Sequence, residues 1–500
     1  MKQLSGPDAM YLYTELDGFP MHIGGVTIYD QSTRARGKTG GGPVRFKDIL
    51  AMFASRLDRS PIFRRKLAEV PFALDLPYWI DDEHFDLEFH VRHIALPKPG
   101  DWRQLCIQVA RLHARPLDRG RPLWEAYVIE GLNNIEGVPR GSFALYTKVH
   151  HCAIDGHSGV QFFGAFNDTS PTPTKPKPPA RWDPERPPGA AKLLRKAYWH
   201  NLRKPAQILH LASGIITSRR RVNVGVERGD FHQPAEIPST RFNGKLSPHR
   251  VVDATKFDFP AVRKIKHAVQ GATINDAVLA IVSGALRKYL QATGELPSRS
   301  LVTGCPVDLR DEVERGADGD NLVGLMTVAL CTDVEQPLDR LQRIHEETQS
   351  SKAYFKAQGA HLVLDFMDTV PPGLQTLLVQ AAALAGIPEK HPIMNTTVTN
   401  VPGSPHQLYM CGAQIIDSFG IGPLSQGLGL FHTVNSVVMK NKGVITLAYI
   451  SCRNAIPDPG FYTECLNESF LELQEACGAS RGETPPRKTA TRSVAINVRQ

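Results

Sequence analysis

Apolar positions recur along this chain with two periods, and they divide it into alternating strands and helices. Ser142 to Val149, rich in aromatic and β-branched residues, predicts a buried strand. Ile23 to Tyr29 and Ala126 to Glu130 read the same way, and Pro77 to Ile80 and Phe85 to Val91 are strand candidates. Helical spacing predicts a short helix that Asp8 can cap, a helical region around 46–58 and an amphipathic helix over 101–115. Val160, Phe163 and Phe166 predict a helix from Gly156 to Asp168. Arg250–Phe257, Leu301–Val307 and Asn321–Leu330 predict three more strands. Between the first two lies a helix over Thr273–Leu290, capped by Thr273 or Asn275, with Val278, Ile281, Val282, Ala285 and Leu286 on one face. Pro337–Gln358 predicts a long charged helix, and Asn395–Gly403 a strand and turn. His432–Val438 and Val444–Ile450 make a hairpin, and 461–477 the last helix. Residues 371–387 are unusually apolar for a short helix, so a core helix is expected there, with an acyl tunnel or a membrane as alternatives. Strands interleaved with helices in this way predict an α/β fold.

Two stretches break the pattern. Residues 31–43 have the composition of a loop, and 169–190 are too rich in proline to form a packed unit. From Lys192 to Arg221 there are eight Lys or Arg and no acid, with Tyr198 and Trp199 among apolar residues at helical spacing; Pro205 divides two helices. Such a stretch suits an anionic membrane surface, or else a linker helix packed on the domains. The chain is therefore read as an N-terminal domain over 1–170, a proline-rich and basic crossover over 171–238, a C-terminal domain over 239–478 and a disordered tail over 479–500.

Charge narrows the partners. The net charge of +8 favours acidic ones such as CoA phosphates or anionic lipid. No zinc-finger or RNP motif occurs, so nucleic acid is not expected. Eight scattered cysteines without a C-x-x-C read as reduced thiols of a cytoplasmic protein. No apolar leader and no spanning segment are seen, leaving peripheral contact with a membrane or lipid droplet as the only membrane expectation.

The strongest chemical signal is His150-His151-Cys152-Ala153-Ile154-Asp155-Gly156, at the junction of the 142–149 strand and the helix expected after it. Side chains alternate along a strand, so adjacent histidines point to opposite sides and only one faces a given cavity. A neutral imidazole can take a proton from a weak nucleophile such as an alcohol near working pH. His151 is read as that general base and His150 as its buried support. Asp155 caps the following helix and pairs with a distant cation, which fixes the loop. No G-x-S-x-G elbow is present. A zinc site using His157 lacks the helical His pair and any Cys cluster, so no metal is expected. Cys152 adjoins the base and is the rival nucleophile, discounted because its side chain should face away from that cavity. Pro122-Leu123-Trp124 precedes a strand, where a tryptophan most often packs in the core.

The H-H-x-x-x-D-G string resembles the active-site motif of the CoA-dependent acyltransferase superfamily. With Met21-His22-Ile-Gly-Gly, Pro122-Leu-Trp-Glu, Asn275-Asp276, Pro306-Val-Asp-Leu-Arg310 and Thr399-Asn-Val-Pro-Gly403 in order over residues 4–478, the chain resembles the bacterial wax ester synthase/acyl-CoA:diacylglycerol acyltransferase family. That resemblance implies two chloramphenicol-acetyltransferase-like domains with the active site in a channel between them. It implies acyl transfer from acyl-CoA to diacylglycerol or a fatty alcohol, without a cofactor. It also implies His151 as base, His150 and Asp155 as structural support, and Gly156 for the turn. Asn275 and Asp276 would serve activity or donor handling, and Pro122, Leu123 and Trp124 would shape a substrate pocket. Arg310 is the cation expected to pair with Asp155. A condensation-type enzyme using carrier-protein thioesters and a non-catalytic lipid-binding protein are the alternatives.

Overall fold

The structure, a computed structural model, describes residues 1–32, 42–154, 164–173, 182–202, 204–308, 323–359, 368–439 and 442–478. Two six-stranded sheets dominate it. In the first, Ala413–Ile421, His22–Asp30, Phe143–His150, Trp124–Glu130 and Val91–Ala95 lie side by side in that order, with the two-residue strand Tyr409–Met410 at the edge. In the second the order is Val323–Ala329, Val302–Asp308, Thr396–Pro402, Leu430–Met439, Lys442–Cys452 and Arg250–Asp258. Both sheets mix parallel and antiparallel pairs. A small sheet of Lys2–Gln3, Tyr78–Asp81 and Arg65–Ala68 flanks the first.

The two sheets do not divide the chain at residue 239. Strand 413–421 pairs antiparallel with 22–30 and covers its free edge. The C-terminal half thus completes the N-terminal sheet, a pairing over almost 400 residues that no local pattern reports.

The helix Trp102–His113 joins the halves. Its capping box uses Asp101 and Gln104, and Leu105, Val109 and Leu112 enter a core shared by both sheets. The Trp102 indole N–H donates to Asp253 at 2.6 Å, on the first strand of the second half. The helix Ile274–Ala292 is buried without a break from Asp276 to Leu286, as a central helix is.

Three local expectations are corrected. Phe85–Val91 is not a strand: Asp86 caps a short helix Leu87–His90, and the strand begins at Val91. Ser5, not Asp8, caps the first helix, Gly6–Tyr13; its hydroxyl accepts from the Asp8 amide and donates to the Asp8 carboxylate. The apolar helix Pro372–Leu384 is not in the core, since only Pro372 and Gln375 are buried while Leu377 and Leu378 are 61% and 54% exposed. The basic stretch forms two helices as expected, Ala190–Asn201 and Lys204–Arg228, and the first seats Leu193 and Ala197 in a core cluster. The helix expected over Gly156–Asp168 lies largely outside the described residues, as does the tail from 479. Among the described residues no helix is long and apolar enough to cross a membrane.

Candidate active site

Strand 143–150 is buried along its whole length and ends at His150; His151–Ala153 then turn as one 3-10 turn. Backbone bonds lock this junction. The His150 amide donates to the Leu123 carbonyl and the His151 amide to the Met21 carbonyl, each at 2.9 Å. His150 is 1% exposed. Its Nδ1 accepts from the Cys152 amide at 3.2 Å, which places the ring proton of the neutral form on Nε2, facing Glu15 Oε2 at 3.6 Å. Burial lowers the His150 pKa, with Glu15 acting in the opposite sense.

Glu15 is the member of this group that the sequence did not reveal. Arg119 donates to it from Nε at 3.1 Å and also from a terminal nitrogen, and the Met21 amide donates to its other oxygen at 3.3 Å. Burial would raise its carboxyl pKa, but His150 and Arg119 outweigh burial and bring it to about 2. One ionised carboxylate therefore ties together the end of the first helix, the loop before strand 22–30, the 119 loop and the buried histidine.

His151 leaves the strand on the other side and is half-buried. Its imidazole lies flat against the Tyr11 ring, with centroids 3.7 Å apart and planes 12° from parallel. The stack sets the plane of the ring and leaves the ring edges to meet other groups. Tyr11, too, carried no sequence signal beyond lying in a short helix. Burial raises its pKa to about 12, so it stays a neutral phenol.

Cys152 packs in an apolar cluster with Leu4, Ala9, Leu12 and Leu123. Burial pushes its thiol well above the ordinary value, and a protonated thiol is a poor nucleophile. Asp155 and Gly156 lie outside the described residues, and so does Arg310, with the pairing expected between it and Asp155.

The Pro-Leu-Trp string acts through its backbone and the core. Leu123 supplies the carbonyl that holds His150, and Pro122 is buried beside it. Trp124 is fully buried against Phe53, Phe63 and His90, and its indole donates to the Phe63 carbonyl at 3.1 Å. The strand turns the Trp124 side chain into a buried cluster with Phe53, Phe63 and Phe166. Asp276 is fully buried and closes the capping box of helix 274–292, with one oxygen accepting from the Thr273 amide at 2.8 Å and from His345 Nδ1 at 3.0 Å. It anchors a helix, while its neighbour Asn275 stays half-buried. Thr273, one of the two expected caps, is the cap.

Beneath the site runs a buried polar chain. His22 lies opposite His150 in register, and its Nε2 contacts the His113 carbonyl at 2.6 Å. His113 Nδ1 bonds the Tyr146 hydroxyl at 2.8 Å. A Cβ on Gly24 would stand 3.0 Å from both the His113 and Tyr146 rings, so the glycine lets them close on the strand. Among the described residues no three His, Cys, Asp or Glu side chains form a metal-binding group.

Comparison with known proteins identifies the family. Residues 4–278 match the wax ester synthase/diacylglycerol acyltransferase catalytic domain, and residues 320–474 match the C-terminal domain of that family. A putative diacylglycerol O-acyltransferase of Mycobacterium tuberculosis is 32% identical over 483 residues, covering 95% of this chain and 90% of that protein. One of Mycobacterium bovis is 30% identical over 480 residues, covering 94% and 98%. The solved wax ester synthase/diacylglycerol acyltransferase from Marinobacter aquaeolei VT8 superposes with a TM-score of 0.66 at 26% identity, over 96% of this chain and 100% of that one. The starter condensation domain of rhizomide synthetase, at 14% identity and a TM-score of 0.52 over 95% of each chain, shares the fold.

Proposed function

Because the chain belongs to the wax ester synthase/diacylglycerol acyltransferase family, we propose that it moves a long-chain acyl group from acyl-CoA to the hydroxyl of diacylglycerol, and to a fatty alcohol in the same site. The enzyme is an acyltransferase, and its product from diacylglycerol is triacylglycerol. The observation that carries the residue assignment is the half-buried His151 ring, stacked on Tyr11 at the end of a fully buried strand and beside a histidine that Glu15 and Cys152 hold. In the step we assign to it, His151 takes the hydroxyl proton as the alcohol oxygen attacks the thioester carbon. The C–S bond breaks, and the leaving CoA sulfur takes the proton back from the imidazolium. The thioester already supplies an activated acyl group, so the reaction calls for no cofactor.

The test is release of CoA thiol by purified protein from palmitoyl-CoA, with dipalmitoylglycerol or hexadecanol as acceptor. Acceptor-dependent release supports the reading, and the ratio of the two rates ranks the alcohols. Turnover only with a carrier-protein thioester, or none with any donor, would overturn it. Cys152→Ala is expected to keep activity within about twofold and to lose about 1 kcal/mol of stability from the lost buried sulfur. Loss of turnover, or an acyl-thioester trapped on Cys152 in the parent, would restore the cysteine as nucleophile.

Peripheral contact with an anionic lipid surface is part of this reading. Three neighbouring elements present apolar tips to solvent: Phe72 at 88% exposure, Tyr198 and Trp199 on helix 190–201, and Leu377 and Leu378 on helix 372–384. They meet around residues 71–74, where Asn201 donates to the Leu74 carbonyl at 2.8 Å and Gly373 abuts Ala73. Lys192, Arg195 and Lys196 share the 190–201 helix and supply the matching charge. Helix 372–384 also touches the Gly6–Tyr13 helix that carries Tyr11, which brings the apolar face close to the candidate base. Burying one such side chain stabilises by about 1.5–3 kcal/mol. Phe72→Ser/Trp199→Ser/Leu377→Ser is therefore expected to weaken co-sedimentation with phosphatidylglycerol vesicles about a hundredfold or more. Unchanged sedimentation would sink this part of the reading.

A further inference from the structure

A cavity of about 340 Å³ lies between helix 102–113 and the start of strand 250–258. That size is within the range of about 300–1,000 Å³ typical of small-molecule sites. Its walls carry Arg103, Arg111, His249, Arg250 and Arg453, and no acidic residue. The helical part follows from the sequence. Leu105, Val109 and Leu112 take the core face, so Arg103, Ile107 and Arg111, four residues apart, form the next stripe and look across at the second half of the chain.

Five potential cations around one hollow repel each other unless something anionic enters. Nothing within the described protein does so. Arg103, Arg111 and Arg453 have no ion-pair partner among the described residues. Asp253, on the adjoining strand, is engaged by Trp102 and Thr463. Arg250 is 8% exposed, and among the described residues its guanidinium donates to the carbonyls of Ser247 and Gly18 and stacks over Phe19. Between the arginines, Ile107, Ala110 and Val251 form an apolar floor. Forked guanidinium donors over such a floor match phosphate groups carried on a ring or other compact body.

We propose that this cavity is a phosphate-binding site that takes the phosphates of a small phosphorylated ligand. Gly18, whose carbonyl Arg250 holds, belongs to the loop leading to Met21, and the Met21 carbonyl holds the His151 amide. The cavity is thus linked to the candidate base through the 18–21 segment, and residues of both halves line it. One source of the phosphates is the phosphoadenosine end of the acyl-CoA donor, an assignment that rests on the proposed acyl transfer. The other is a free nucleotide bound independently of the reaction.

The test is calorimetric binding of adenosine 3′,5′-bisphosphate to the full chain at low salt, compared with Arg103→Ala/Arg111→Ala/Arg453→Ala. These three side chains are exposed, so the variant is expected to fold, and its melting temperature checks that. The parent is expected to bind the bisphosphate, and the variant at least about tenfold more weakly. Displacement of the probe by palmitoyl-CoA, with a raised KM for palmitoyl-CoA in the variant and no change in KM for the alcohol, assigns the site to the donor. Probe binding that survives saturating palmitoyl-CoA assigns it to a free nucleotide. Both outcomes support a phosphate site. Absence of binding to the parent, or equal binding by the folded variant, overturns it. Binding is read without turnover, so failure of the pocket and failure of the acyltransferase reading are told apart.

Discussion

Replacing His151 with alanine is expected to lower acyl transfer from palmitoyl-CoA to diacylglycerol by about 10²–10⁴-fold, the usual worth of a positioned general base. The loss should fall on kcat, since an alcohol that is bound but not deprotonated still occupies its site. Stability should change little. His151 is half-buried, and its amide, which holds the junction to Met21, survives the substitution. His150→Ala should behave differently. It empties a fully enclosed site and leaves the Cys152 amide and the Glu15 carboxylate short of a partner, costing about 1–3 kcal/mol of stability. The two histidines are thus separated by readout: rate for one, melting temperature for the other. A His151→Ala protein that folds and keeps more than about a tenth of parental kcat would remove it as the base.

Acid is expected to destabilise the fold from a higher pH than carboxylates alone would cause. Burial pushes His113 and His432 down to about 3, and holds His22 well below and His150 below the ordinary imidazole value. In the unfolded chain these rings titrate near 6.5. Below that pH the unfolded state takes up protons that the folded state refuses, so stability is full above about pH 6.5 and falls as pH drops toward 3. Each fully buried ring costs roughly 1.4 kcal/mol per pH unit in that window. At pH 5, His113 and His432 together remove about 4 kcal/mol, a large share of a typical stability of about 5–15 kcal/mol. Glu15 acts lower down: its carboxyl is depressed to about 2, so its contribution is present above about pH 4.5 and is lost as pH falls from there. The check is the urea midpoint at pH 7.5 and pH 5. A midpoint that stays level over that range would contradict the neutral burial of these rings.

The histidine motif was legible because it is local. A strand of aromatic and β-branched residues, a pair of histidines and a turn are all written within a dozen positions. Glu15 and Tyr11 were not legible, because each meets the motif from about 135 residues away or more (150 − 15 and 151 − 11). Trp124 and Asp276 were legible as motif members, but their burial and partners were not. Motif membership does not say toward which face a strand or helix turns a side chain.

The sequence by itself determined most of the strands and helices, the α/β class, the family and the position of the two histidines at a strand's end. All of these follow from periodicity, turn chemistry and short strings, which act over a few residues. Tertiary structure alone decided that strand 413–421 completes the first sheet, that helix 372–384 stays outside the core, and that five basic side chains surround one hollow. These depend on which surfaces the folded chain brings together across hundreds of residues, and no local period encodes that choice.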